Sequence, residues 1–108
     1  MENNNIDYSY LGRLNHIAIA VPDLAAARTQ YQSMFGLQVS AIEHLPAHGV
    51  SVVFITLPNT KIELITPLIT AGDNSNPLQK FLEKNSRGGI HHVCYEVDDI
   101  IKTRDHLL

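Results

Sequence analysis

A chain of 108 residues has room for one domain, and a formal net charge of −3 without any Lys/Arg cluster excludes a nucleic-acid footprint. With 44% hydrophobic and 18% charged residues the composition is globular, and no apolar run approaches the roughly 18 residues of a membrane span. The single cysteine, Cys94, has no internal partner, and MENNNIDYSY has no basic segment followed by an apolar one, so a cytoplasmic, reducing setting is expected rather than a secreted one.

Residues 1–12 are polar and are expected to form a disordered tail. Alternation then predicts a strand over 15–21, with His16, Ala18 and Ala20 on one face and Ile17, Ile19 and Val21 on the other. Pro22-Asp23 stops that strand and caps a helix, in which Leu24, Ala27, Tyr31 and Phe35 recur at helical spacing before Gly36. Three more strands are predicted at about 37–44, 49–57 and 60–66, divided by Gly49 and by Pro58-Asn59. In the last of them Ile62 and Leu64 share one face, and Glu63 takes the other beside Lys61 and Ile65. TAGDNSN reads as a loop. A short helix follows, with Asn76 as cap, Pro77 in its first turn, and Leu78, Phe81 and Leu82 turned inward.

After SRGG the opening pattern returns. A shift of 76 positions sets Leu14 on Ile90, His16 on His92, Val21 on Val97, Asp23 on Asp99 and Arg28 on Arg104, an internal repeat. His92, not His91, is therefore the counterpart of His16. Alternation places His92 with Cys94 and Glu96, sends Val93, Tyr95 and Val97 to the core, and turns His91 the opposite way or into the turn. The counterpart of Glu63 would fall beyond Leu108, so the second unit is expected to be truncated.

Each candidate also has a purely structural reading. His16 and His92 can be hydrogen-bonded strand residues, Glu63 an exposed charge beside Lys61, Cys94 a small buried hydrophobe, and Glu96 a structural polar group. His44, His48 and His106 fall in loop-like or surface-like contexts. Lys80, Lys84 and Arg87 read as a solvated face, with a phosphate contact as the alternative. The joint pattern favours a metal. Two imidazoles at equivalent points of two strands, each followed on its face by a small residue (Ala18, Cys94), leave room for a cavity. Imidazoles and a carboxylate buried without partners would be costly. A shared Mn, Fe, Co, Ni or Zn ion removes that cost.

LNHIAIAVPDL, FGL, NTKIELITPL and GGIHHVCYEVDDI resemble the vicinal oxygen chelate (glyoxalase-like) superfamily, and with HGVSVVF and FLEKN they are most similar to its methylmalonyl-CoA epimerases. The resemblance covers nearly the whole chain from Leu14. It implies an α+β fold of paired βαβββ modules: module one at about 13–70, a linker helix at about 76–86, and the start of an incomplete module two at 88–108. It implies one divalent ion (Co2+, Mn2+, Ni2+ or Zn2+) held by His16, Glu63 and His92. A fourth ligand, a glutamate also implicated in proton transfer, is expected beyond Leu108. Val52 occupies the place where some of these epimerases carry a second basic glutamate, so the catalytic acid–base residues are left unassigned. The implied reaction is epimerisation of methylmalonyl-CoA, by proton abstraction alpha to the thioester through an enolate. The implied assembly is a homodimer. The alternatives are a glyoxalase I-type lyase acting on a glutathione hemithioacetal, a metal-free binding protein, and an inactive fragment. A ring-cleaving dioxygenase fits less well, and a His, Glu and His set argues against the metal-free reading. The isolated 108-residue chain is expected to be poorly stable and inactive.

Overall fold

In the computed structural model, which describes residues 12–36, 38–69 and 75–107, the alternating run around His16 forms β1 (Leu14–Ala20) and the helically spaced run forms α1 (Leu24–Phe35). Asp23 caps α1, its carboxylate accepting the Ala26 N–H at 3.0 Å, and Gly36 closes it in the left-handed region at φ 60°. Replacing Asp23 with alanine leaves that first-turn donor unmet. It is expected to lower stability by about 1 kcal/mol, read as a fall in the thermal midpoint. The expected tail (apart from Gly12), the 70–74 part of the loop, Leu37 and Leu108 lie outside the described residues.

The strand expected over 37–44 is much shorter than its sequence suggests. Among the described residues of that stretch, β2 (Glu43–Leu45) forms, preceded by a bridge between Val39 and Ile55. The interruption falls at Ser40. Its hydroxyl accepts the Phe54 N–H at 2.8 Å, a bond a neighbouring strand carbonyl would otherwise take, and its own carbonyl accepts the Arg28 side chain at 2.6 Å. A short 3-10 turn (Pro46–His48) then leads into β3 (Val50–Thr56), β4 (Lys61–Pro67), α2 (Pro77–Lys84), β5 (Gly89–Tyr95) and α3 (Ile100–Leu107). Asn76 caps α2 by accepting the N–H groups of Leu78 and Gln79.

The strands make one mixed sheet in the order β2-β3-β4-β1-β5, with β1 and β4 parallel and the other pairs antiparallel. The fold is α+β: a βαβββ unit followed by a helix, a strand and a helix. Period-two alternation gives the sheet two apolar faces. Val21, Leu24, Val53, Ile55 and Leu64 form a core with Ile19, Ala27 and Tyr31 under α1. Ala18, Ala20, Val52, Ile65 and Leu78 form the other, joined by Leu45, Val50, Phe54, Phe81 and Leu82 beneath α2.

β5 corrects one expectation. Val93 and Tyr95 do share a face, but they are 43% and 52% exposed rather than in the core. Phe81 of α2 reaches β5 at Gly89 and His91, while alternation at Val93 and Tyr95 meets solvent. At the start of β5, Gly88 sits at φ +88°, with its backbone against Ala20.

Candidate metal centre

His16, Glu63 and His92 come together on the α2 side of the sheet. The parallel register sets Glu63 opposite Ala18, while the antiparallel register sets His92 opposite Ala18 and Cys94 opposite His16. Three neighbouring strands thus present one side chain each around Ala18, which is fully buried. Its methyl group takes up little of the space above the sheet.

The two imidazoles meet edge to face, Nε2 to Nε2, at 3.3 Å. Glu63 lies on the far side of His16, with Oε2 3.3 Å from Nδ1. That same Nδ1 stands 2.7 Å from Asn15 Oδ1, and Asn15 is oriented in turn by donating its amide to Glu96 at 3.1 Å. With two acceptors facing Nδ1, the network assigns a proton to that atom and turns Nε2 toward His92. His92 has its pKa pushed below the usual 6.5, first by burial and then by the nearby His91 and His16, with Glu63 opposing. A neutral ring is the form that coordinates metal.

A neutral His–His–carboxylate donor set suits a first-row divalent ion. Two imidazole nitrogens at about 2.0–2.1 Å from a shared tetrahedral ion stand about 3.3 Å apart, which is the separation of the two Nε2 atoms. The two imidazoles fit such an ion in chemistry and in spacing. Glu63 fits less directly. Among the described residues no three His, Cys, Asp or Glu side chains converge on one point as they stand. The carboxylate would have to swing from the Nδ1 side of His16 to the Nε2 side.

A cavity of about 380 Å³ opens beside the trio, lined by Leu45, Val50, Ile65 and Leu78 on its apolar side and by His48, Glu63, His91 and His92 on its polar side. A larger hollow along the outer side of α1 is more open, and Asp23 is the one metal-donor side chain in its lining. The chemistry is therefore at the smaller cavity.

Three residues gain weight here that the sequence did not give them. His48 borders the cavity, Asn15 holds His16, and His91 lies on the site face rather than turned away. The β1–β5 register explains His91. Ala18 pairs with His92 but Ile19 pairs with Ile90, so β5 carries one extra residue, and this bulge brings His91 round to its neighbour. His91 Nδ1 lies 2.9 Å from His92 Nδ1, and its ring stands edge-on to Phe81. Cys94 is half-buried. His44 bonds Ser51 at 2.7 Å, on the α1 side of the sheet.

Residues 15–108 match the Glyoxalase/Bleomycin resistance protein/Dioxygenase superfamily. The chain is 61% identical over 97 residues to an ethylmalonyl-CoA/methylmalonyl-CoA epimerase of Cereibacter sphaeroides, an alignment covering 90% of this chain and 69% of that protein. It is 56% identical over 90 residues to the mitochondrial methylmalonyl-CoA epimerase of Mus musculus, covering 83% of this chain. The aligned part is 48% of the mouse protein, so the chain spans about half the length of that relative. The crystal structure of methylmalonyl-CoA epimerase from Mycobacterium tuberculosis superposes with a TM-score of 0.76 at 27% identity, covering 96% of this chain and 67% of that one.

Proposed function

The chain belongs to the Glyoxalase/Bleomycin resistance protein/Dioxygenase superfamily, and from that premise we propose that the whole protein epimerises methylmalonyl-CoA at a divalent metal centre built on His16, Glu63 and His92. The observation that carries the proposal is the meeting of β1 and β5, where the Nε2 atoms of His16 and His92 lie 3.3 Å apart beside a largely apolar cavity that Glu63 of β4 also lines. Similarity to epimerases over nine-tenths of the chain supports the substrate class.

Epimerisation inverts the carbon between a thioester and a carboxylate. That C–H is acidic because the resulting anion delocalises into the thioester as an enolate. A divalent ion, when bound, supplies Lewis-acid stabilisation of the charge developing on the substrate oxygens. The chain's own residues do the rest. His16 and His92 would offer their Nε2 atoms to the ion, and Asn15 with Glu96 fixes the His16 ring. Leu45, Val50, Ile65 and Leu78 line the cavity with hydrocarbon, which limits water around the enolate and strengthens every charge interaction there. Val52, 2% exposed in the site-side core, carries no proton. The acid–base pair is thus assigned to residues other than this one.

The test is isotope exchange. In D2O the full-length protein loaded with Co2+ is expected to wash deuterium into the alpha carbon of methylmalonyl-CoA, seen by mass spectrometry, and to stop when a chelator removes the ion. A metal-loaded protein that exchanges nothing yet turns over a glutathione hemithioacetal would replace this reading with the lyase. The homodimer, read by sedimentation velocity, and the cytoplasmic setting belong to the same proposal. No helix among the described residues is long and apolar enough to cross a membrane.

A further inference from the structure

The two histidines are held by the same device, used twice. Asn15 and His91 occupy equivalent places in the repeat, each immediately before the histidine of its strand. Both sit at an irregularity of the β1–β5 ladder. On β1 the register skips Asn15 between Leu14 and His16, and on β5 it skips His91 between Ile90 and His92. In each case the side chain of the extra residue meets Nδ1 of the following imidazole, Asn15 Oδ1 at 2.7 Å and His91 Nδ1 at 2.9 Å. The two Nε2 atoms then face each other at 3.3 Å.

The partner atoms assign the roles. Asn15 Oδ1 and Glu63 Oε2 both face His16 Nδ1, so they hold a proton on that atom and turn Nε2 toward His92. With an ion between the rings, His92 would likewise carry its proton on Nδ1 and would donate it to His91 Nδ1, whose own proton would then sit on Nε2. Edge-on packing against Phe81 keeps the His91 ring aimed at that bond.

We propose that His91 is a positioning residue for His92, setting its tautomer through the Nδ1–Nδ1 bond and so aiming a bare Nε2 at the site, as Asn15 does for His16. The proposal rests on the metal reading given above. Partners of this kind are worth about 10–100-fold in metal affinity.

The repeat itself supplies the test. In the full-length protein, His91→Phe keeps a ring against Phe81 but removes the bond, whereas His91→Asn installs the group that Asn15 provides. Co2+ affinity, followed through its visible absorption, is expected to fall about 10–100-fold in His91→Phe and to stay within a few-fold of wild type in His91→Asn. Wild-type affinity in His91→Phe, or equal loss in both variants, overturns the proposal. A wild-type protein that takes up no Co2+ would instead sink the metal reading. A second readout stands apart from the ion: nitrogen-15 spectra of the metal-free protein should show His92 in one tautomer in wild type and mixed in His91→Phe. An unchanged His92 tautomer in that variant also overturns the proposal.

Discussion

Replacing His16 with alanine is expected to weaken Co2+ binding by on the order of 100-fold or more, at or beyond the top of the range for an orienting partner. The affinity of the full-length protein, followed by Co2+ absorption, measures it. His16 faces both other members of the site, His92 through Nε2 and Glu63 through Nδ1. Its loss therefore removes a donor and also releases Asn15 and Glu63 from their partner. Stability should change much less, because the ring is partly exposed beside the cavity rather than packed in either core. His44→Ala is the matching control. That imidazole bonds Ser51 away from the site, so the affinity should not move. A parallel drop in His44→Ala would mean that general unfolding, not ligand loss, lowered the affinity.

Gly88→Ala is expected to be the most damaging single methyl group in the chain. At φ +88° an L side chain is strained, and a Cβ there would overlap the carbonyl oxygen of Ala20. Ala20 cannot yield, since it is fully buried between the sheet and α2. The remaining response is for β5 to lift away from β1, which costs about 3 kcal/mol or more once strain and lost packing are combined. Urea denaturation of the full-length protein would read it. Because His92 lies on β5, Co2+ affinity should fall with stability. Gly49→Ala offers a graded comparison. It too sits in the left-handed region, at φ +67°, but its nearest neighbour is the Asn76 amide at 3.1 Å. Its cost should stay near the roughly 1–2 kcal/mol of the backbone conformation alone.

Local chemistry made most of this fold legible. Asp23, Gly36 and Asn76 announce helix ends by mechanisms that need only their own neighbours, and all three act as expected. Alternation set the face of His16 and of Glu63 each within its own strand, and the parallel β1–β4 register makes the two faces one. What stayed hidden depended on partners distant in sequence. The strand around Ser40 is cut short by bonds to Phe54 and Arg28, which periodicity in that segment cannot express. His91 is the sharper case. Strict alternation turns it away from His92, and only the skipped pairing between Ala18 and Ile19 brings it back. The repeat held a clue, because Asn15 and His91 align at the same offset as His16 and His92. Val93 and Tyr95 show the converse: a pattern that specifies a face does not supply the surface to cover it.

The seam between β1 and β5 joins residues 76 positions apart, His16 and His92. Contacts of such long separation form late, because the intervening loop must close before they give anything in return. β1 pairs with β4 over a shorter separation, so the half of the centre on those strands can take shape first and wait for the other. An ion that needs both imidazoles recognises only molecules in which the final strand has docked in correct register. Bound at a hundredfold excess over its dissociation constant, it would hold that strand in place by about 2.7 kcal/mol. The centre would then act as a latch on the last step of assembly, and metal-starved protein should fray first at β5.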